Sequence, residues 1–153
     1  LTYPSRQELP LLAESAQATL KEIGIDVQVN CTSDNNTIRK DPTLWDVYAS
    51  AMVTAPTGDP QYFFTSCALD SSVSNNGHYH SDKLEELAAQ IEKEFDTEKR
   101  SELGIQMQQT VLDDHAYVFC SHLKMSMIMQ SNVTGLVAHP CDYYELTADL
   151  DIN

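Results

Sequence analysis

The sequence predicts an α/β domain, a mixed sheet flanked by helices, and three observations carry that expectation. A short apolar start, Leu1-Thr2-Tyr3, is followed by a helical pattern over Glu8–Glu22 and then by the alternating stretch 25–29. Strand, helix and strand within about 30 residues make a βαβ unit, which calls for parallel strands and a right-handed crossover. Two further helical patterns follow, and strand-like apolar runs come after them.

Each element has its own signal. In the first helix Leu9, Leu12, Ala13, Ala16, Leu20 and Ile23 recur at helical spacing, and Gly24 supplies the stop. Ile25-Asp26-Val27-Gln28-Val29 alternates apolar and polar, as a strand with one buried face does. Residues 31–43 are loop-like, 44–53 read as a further strand, and the stretch TAPTGDP at 54–60 breaks it with two prolines and a glycine. A short helix over 61–66 is expected after Pro60, with Asp59 as its cap. A polar loop then leads to the stripe Leu84, Leu87, Ala88, Ile91 and Phe95, with Ser81 or Asp82 capping and Glu85 completing a capping box. Thr97 opens the last helix, to about Leu112, burying Leu103, Met107, Thr110 and Val111. The runs AYVFCSH and KMSMIMQ read as strands, with a turn between Asn132 and Gly135.

Bulk properties narrow the function classes. The 153 residues suit one domain, and 42% apolar content marks a folding chain. A net charge of −14 repels nucleic acid and anionic membrane surfaces, and no Lys/Arg cluster offsets it locally. No apolar run approaches the roughly 20 residues of a membrane helix. The opening LTYPSRQELP lacks the charged and apolar regions of a signal peptide, and a natural start further upstream is the expectation. Cys31, Cys67, Cys120 and Cys141 are widely spaced, which excludes a zinc ribbon; four cysteines allow three disulfide pairings, and Cys120, in the apolar run YVFC, reads as a buried thiol. The sequons at Asn30, Asn35 and Asn132 are no more than chance gives in a chain rich in Asn and Thr.

The order of these motifs is itself informative. An L-x-Y strand, a helix ending in EIGIDV, the stretch LWDVYAS, a G-D-P turn before QYFF, an asparagine-rich loop, two helices joined at DTEKR, and VLDDHAYVFCSH follow one another. Together they resemble the C-terminal lobe of the family-5 extracellular solute-binding proteins, the peptide-, nickel- and opine-binding receptors of ABC importers. The resemblance covers residues 1 to about 136. It implies one lobe of a type II periplasmic-binding-protein clamshell over 1–153, with the other lobe, the signal sequence and any lipid-anchoring cysteine outside this chain. It further implies an extracytoplasmic protein, periplasmic or a cell-surface lipoprotein, that captures a peptide or a nickel or other metal chelate and delivers it to an ABC permease. Peptide-type members place an aspartate four residues before the proline of the D-P turn, to pair with the peptide ammonium. Pro56 stands there in this chain, and APTGDP is closer to the A-P-x-D-P turn of the nickel branch. That branch also carries a tryptophan just before the turn, where this chain has Val53-Thr54. The ligand contacts implied are Thr54, Ala55, Pro56, Thr57, Gly58, Asp59, Tyr62 and Asn76.

His78 and His80 form an H-x-H, and neutral imidazoles are good ligands for nickel, cobalt, zinc and copper. Both are candidate metal ligands; the competing reading is a loop that feeds a helix, with Gly77 as its turn and Tyr79 as the residue that packs. Met125, Met127 and Met129 could offer thioethers to Cu(I), yet their period of two is what one buried strand face produces. Asp113-Asp114-His115 has the form of an acid–base pair at a helix end, and Trp45 reads as packing. A metal-dependent hydrolase using His78 and His80 with Asp70 or Glu85 is the alternative function. No H-E-x-x-H, G-x-S-x-G or phosphate loop supports it, so a binding protein without catalysis or a required cofactor is expected.

Overall fold

Thr2 donates its N–H to Asn30 O at 2.9 Å and accepts at its carbonyl from Thr32 N–H at 3.1 Å, which is a parallel bridge between Thr2 and Cys31. Leu1, whose polar groups point the opposite way along an extended chain, donates to Val47 O at 2.6 Å and accepts from Ala49 N–H at 2.9 Å. Three segments therefore run parallel in the spatial order 30–32, 1–3, 47–49. The first strand has a parallel neighbour, but it is 30–32 rather than the expected 25–29, which forms no strand. Residues 44–53 do not form a strand of that length. Their partner is only three residues long and ends at Pro4, which has no N–H to continue a ladder.

The computed structural model describes residues 1–124, 126–137 and 147–153; Met125 and Cys141 lie outside the described residues. The described chain divides into one unit of Leu1–Val53 with Val73–His78 and another of Thr54–Ser72 with Tyr79–Asn153. In the first unit α1, Glu8–Glu22, has the expected bounds. Gly24, at φ +84°, donates to Lys21 O while Ile25 donates to Leu20 O, a Schellman stop that only a residue free to adopt positive φ closes without strain. The helix buries Leu9 alone, and Leu12 and Ile23 are exposed. A three-segment sheet with one bridge per pair is too narrow to cover the whole stripe. Gln17 Nε2 ties α1 to Val27 O at 2.5 Å. The stretch read as loop contains a short helix α2, Asn35–Ile38, and a 3-10 turn, Pro42–Leu44, capped by Asp41.

The second unit is built on α3, Asp82–Ile91, and α4, Thr97–Asp113. Leu84, Leu87 and Ile91 from α3 meet Met107 and Val111 from α4, all nearly sealed from water, with Phe64, Ala68 and Leu69 completing the core. Leu103 packs against it and Thr110 is buried, as the spacing predicts. Phe95 is 91% exposed. The helix stops at Ile91, so Phe95 never reaches the stripe. The capping box also fails, because Glu85 Oε1 accepts from Asp70 N–H at 2.8 Å instead. The short helix expected over 61–66 is present in part: Tyr62 and Phe63 are helical and run into a π-helical turn, Phe64–Ala68. Buried Ser72 holds it: the hydroxyl contacts Phe64 O at 3.0 Å and Thr65 O at 2.9 Å and accepts from Leu69 N–H at 3.0 Å.

Among the described residues after α4 the two expected strands do not form. Among the described residues the ladder is β1, Val133–Thr134, antiparallel to β2, Asp151–Ile152. Gly135 allows that pairing, since a Cβ there would fall 1.8 Å from Asp149 O. Alternating apolar residues alone do not supply an edge to pair with. Cys120 is exposed rather than buried, and Met129 is exposed where a buried strand face would cover it.

Ser72→Ala is expected to lower stability by about 0.5–1.5 kcal/mol, because the hydroxyl's bonds to Phe64 O, Thr65 O and Leu69 N–H are lost while the direct Leu69 N–H to Phe64 O bond remains. Chemical denaturation of this variant against Ser71→Ala, at an exposed position, reads the difference; equal midpoints would deny the hydroxyl this role.

Candidate functional site

The turn at 54–60 is fixed at its second half and open at its first. Gly58, at φ +77°, donates its N–H to Ala55 O at 3.0 Å, and Ala55, Thr57 and Gly58 face solvent. Pro56 is buried and Thr54 half-buried. Asp59 caps the next turn by accepting Gln61 N–H at 2.9 Å, the role read from its position before Pro60. Its two carboxylate oxygens also lie 3.0 and 3.1 Å from Arg100 Nη2. Pro60 meets α4 where Gly104 has no side chain; a Cβ there would lie 3.0 Å from Pro60 Cβ. Tyr62 is exposed just beyond.

Arg100 and Asp70 are the site residues that motif reading missed. Arg100 Nη1 donates to Ile91 O at 2.6 Å and Glu94 O at 3.0 Å, and Nη2 reaches Gln61 Oε1 at 3.2 Å besides Asp59. No local signal in the sequence distinguishes Arg100 from Lys99, the cation beside it in the same turn of α4.

The two histidines differ. His78, in the first unit, is exposed and left-handed at φ +52°, with its N–H on Asn75 O at 3.2 Å. Asn76 is half-buried and donates its amide to Ser74 O at 3.1 Å, and Gly77 lies beside Trp45, which packs on Tyr48 at 5.8 Å. His80, in the second unit, is also exposed, but both of its ring nitrogens face carboxylates. Nδ1 is 2.9 Å from Asp70 and Nε2 is 3.2 Å from Asp82. The Asp70 hydrogen bond, then the Asp70 and Asp82 charges, raise its pKa above the ordinary histidine value. His80 is therefore the poorer candidate for a neutral metal-binding imidazole. Tyr79 between them does pack, on Tyr117 and the core, and its hydroxyl donates to Asp114 at 2.6 Å. Burial, with that bond, pushes its pKa to about 12.

Asp113-Asp114-His115 does not make an acid–base pair. Asp113 accepts from Gln109, Asp114 takes the Tyr79 hydroxyl, and His115 ends α4 at φ +54°. Among the described residues no three His, Cys, Asp or Glu side chains are grouped to hold a metal ion, and no helix is long and apolar enough to cross a membrane.

Because the folded pKa of His80 is raised, the Asp70–His80–Asp82 contact stabilises fully below the unfolded value of about 6.5 and is lost as pH rises through the folded pKa. Proton-detected titration should place His80 above the ordinary histidine value of about 6.5, and Asp70→Asn should bring it down; a curve unmoved by that substitution would remove the clamp. Gly104→Ala ordinarily stabilises a helix interior by about 0.5–1 kcal/mol. Here thermal melts are expected to show a loss, because the rigid Pro60 ring must move.

No family model matches the chain. The nickel-binding protein NikA of Staphylococcus aureus (strain NCTC 8325 / PS 47) is 27% identical to it over 104 residues, 68% of this chain and 21% of that protein. A crystal structure of NikA from Staphylococcus aureus in complex with Ni(L-His)2 superposes with a TM-score of 0.71 at 26% identity, covering 74% of this chain and 24% of that one. The chain thus spans a quarter or less of the length of these relatives. In sequence and in structure alike, this chain is homologous to part of the nickel-binding solute-binding protein NikA.

Proposed function

We propose that residues 1–153 are one α/β lobe of a two-lobed, extracytoplasmic solute-binding receptor, and that it captures a nickel chelate for an ABC importer. The likeness to NikA, seen in complex with Ni(L-His)2, is the observation that carries this reading. Pro56, at the place where peptide-type members hold an aspartate, supports a chelate over a peptide. A chelate brings its own donors and asks for few protein ligands, which suits a loop whose His78 is solvent-facing with no carboxylate on its ring among the described contacts. Thr54, Ala55, Pro56, Thr57, Gly58, Asp59, Tyr62 and Asn76 are the proposed ligand contacts. His78 is the proposed metal or chelate contact, and His80 serves mainly to hold the base of its loop. Nickel is cargo here rather than a resident cofactor. Closure of the lobes over the chelate would then shift the population toward the form the permease recognises. A lipid anchor, if the longer protein has one, belongs to that same reading. The hydrolase alternative finds no support, since the similar proteins are binding proteins and the His80 nitrogens are engaged.

Isothermal calorimetry with Ni(L-His)2, a free dipeptide and its N-acetyl form tests the reading. The chelate is expected to bind, and acetylation to make no difference. His78→Ala should weaken chelate binding by about tenfold, equivalent to ~1.4 kcal/mol, and His80→Ala by less. Binding should fall in acid as imidazoles protonate. A dipeptide that binds more tightly than the chelate, and loses affinity on acetylation, would show that another carboxylate replaces the missing aspartate.

A further inference from the structure

Asn76 is the one asparagine of this chain that a glycine follows; Asn30, Asn35, Asn36, Asn75 and Asn132 each precede a residue with a side chain. The backbone nitrogen after an asparagine can reach its Cγ, and only at glycine does no neighbouring Cβ shield that nitrogen. The structure places Asn76 and Gly77 at the centre of a β-turn, closed by His78 N–H on Asn75 O at 3.2 Å. Gly77 faces solvent, and among the described contacts its N–H has no acceptor. The Asn76 amide is held by Ser74 O at 3.1 Å, an exposed contact. Swinging the amide carbon onto the Gly77 nitrogen therefore breaks exposed hydrogen bonds of small net worth, not a packed core. Asn35 and Asn36 differ, for they lie in α2, where helical backbone holds the next nitrogen in place.

We propose that Asn76 is a site of spontaneous deamidation, and that the folded turn leaves it reactive. The Gly77 nitrogen gives its proton to solvent and attacks Asn76 Cγ. The N–Cγ bond forms as the Cγ–Nδ2 bond breaks, and Nδ2 leaves as ammonia with a proton taken from water. A five-membered succinimide remains, and water opens it at one of its two carbonyls. Opening at Cγ gives an aspartyl residue; opening at the backbone carbonyl gives an isoaspartyl residue, with the chain routed through Cγ. Water is the co-reactant throughout, and no oxidant or reductant is needed. Either product places a negative charge two positions before His78. The isoaspartyl form also lengthens the turn by one backbone atom, so the bond between His78 N–H and Asn75 O no longer closes. The step needs no bound ligand and stands apart from the chelate reading; within that reading it turns a proposed neutral contact into an anion.

The test is to hold the full chain in mildly alkaline buffer, with its fold followed by circular dichroism, and to map its peptides by mass spectrometry over time. The peptide carrying residues 75–78 is expected to exchange ammonia for water and to split into two products. An isoaspartate-specific methyltransferase should label one of them. A synthetic peptide of residues 72–80 reports the reactivity of the sequence without the fold. The folded chain is expected to react within about tenfold of that peptide, a barrier difference of ~1.4 kcal/mol. Gly77→Ala puts a Cβ beside the nitrogen; it has room there, 3.9 Å from the Trp45 ring, and the position needs no positive φ. This substitution should slow the reaction by about tenfold or more, in the chain and in the peptide alike. An Asn76 that stays intact in the folded chain while the peptide converts overturns the proposal. So does an unchanged rate in Gly77→Ala, or a product free of isoaspartate, which would mean direct hydrolysis of the amide.

Discussion

The seam between α3 and α4 excludes water from Ile91, Met107 and Val111, and the polar contacts at its end depend on that exclusion. Arg100 emerges from α4 beside the last turn of α3, where the Ile91 and Glu94 carbonyls accept its Nη1. A guanidinium held there meets Asp59, and Asp59 in turn accepts Gln61 N–H just before the helical segment that leads into Phe64–Ala68. Were α3 and α4 to separate, the arginine would lose its seat and the 54–60 turn its orientation. The turn's place is thus a consequence of apolar packing transmitted through one cation.

Charge distinguishes the surroundings of the two histidines. His80 lies between two carboxylates, which favour its protonated form and occupy both ring nitrogens. His78, two residues earlier, has left-handed backbone geometry and an exposed ring. An H-x-H motif says nothing of this difference, because Asp70 lies ten residues upstream and comes to His80 only when the intervening loop folds back.

The same acidity bears on what such a site should recognise. A body with net charge −14 concentrates cations around it without discrimination.

The sequence by itself determined the helices, the breaks and the kinship. Gly24 ends α1 because the Schellman stop needs positive φ, and the stripe from Leu84 to Ile91 marks α3, since both signals are local and repeat within a turn. The ordered motifs pointed to the solute-binding receptors because order along the chain survives divergence at single positions. Only the tertiary structure decided the strands: 116–122 and 124–130 have strand-like patterns, yet a ladder needs a partner edge, and pattern does not supply one. Phe95 lost its place in the core because α3 ends at Ile91, and Glu85 lost its box because the Asp70 N–H, fifteen positions away, takes its carboxylate. Asp59 shows the limit most clearly, for its capping role was legible two residues away while its neutralisation by Arg100, 41 positions on, follows from helix packing that no local signal encodes.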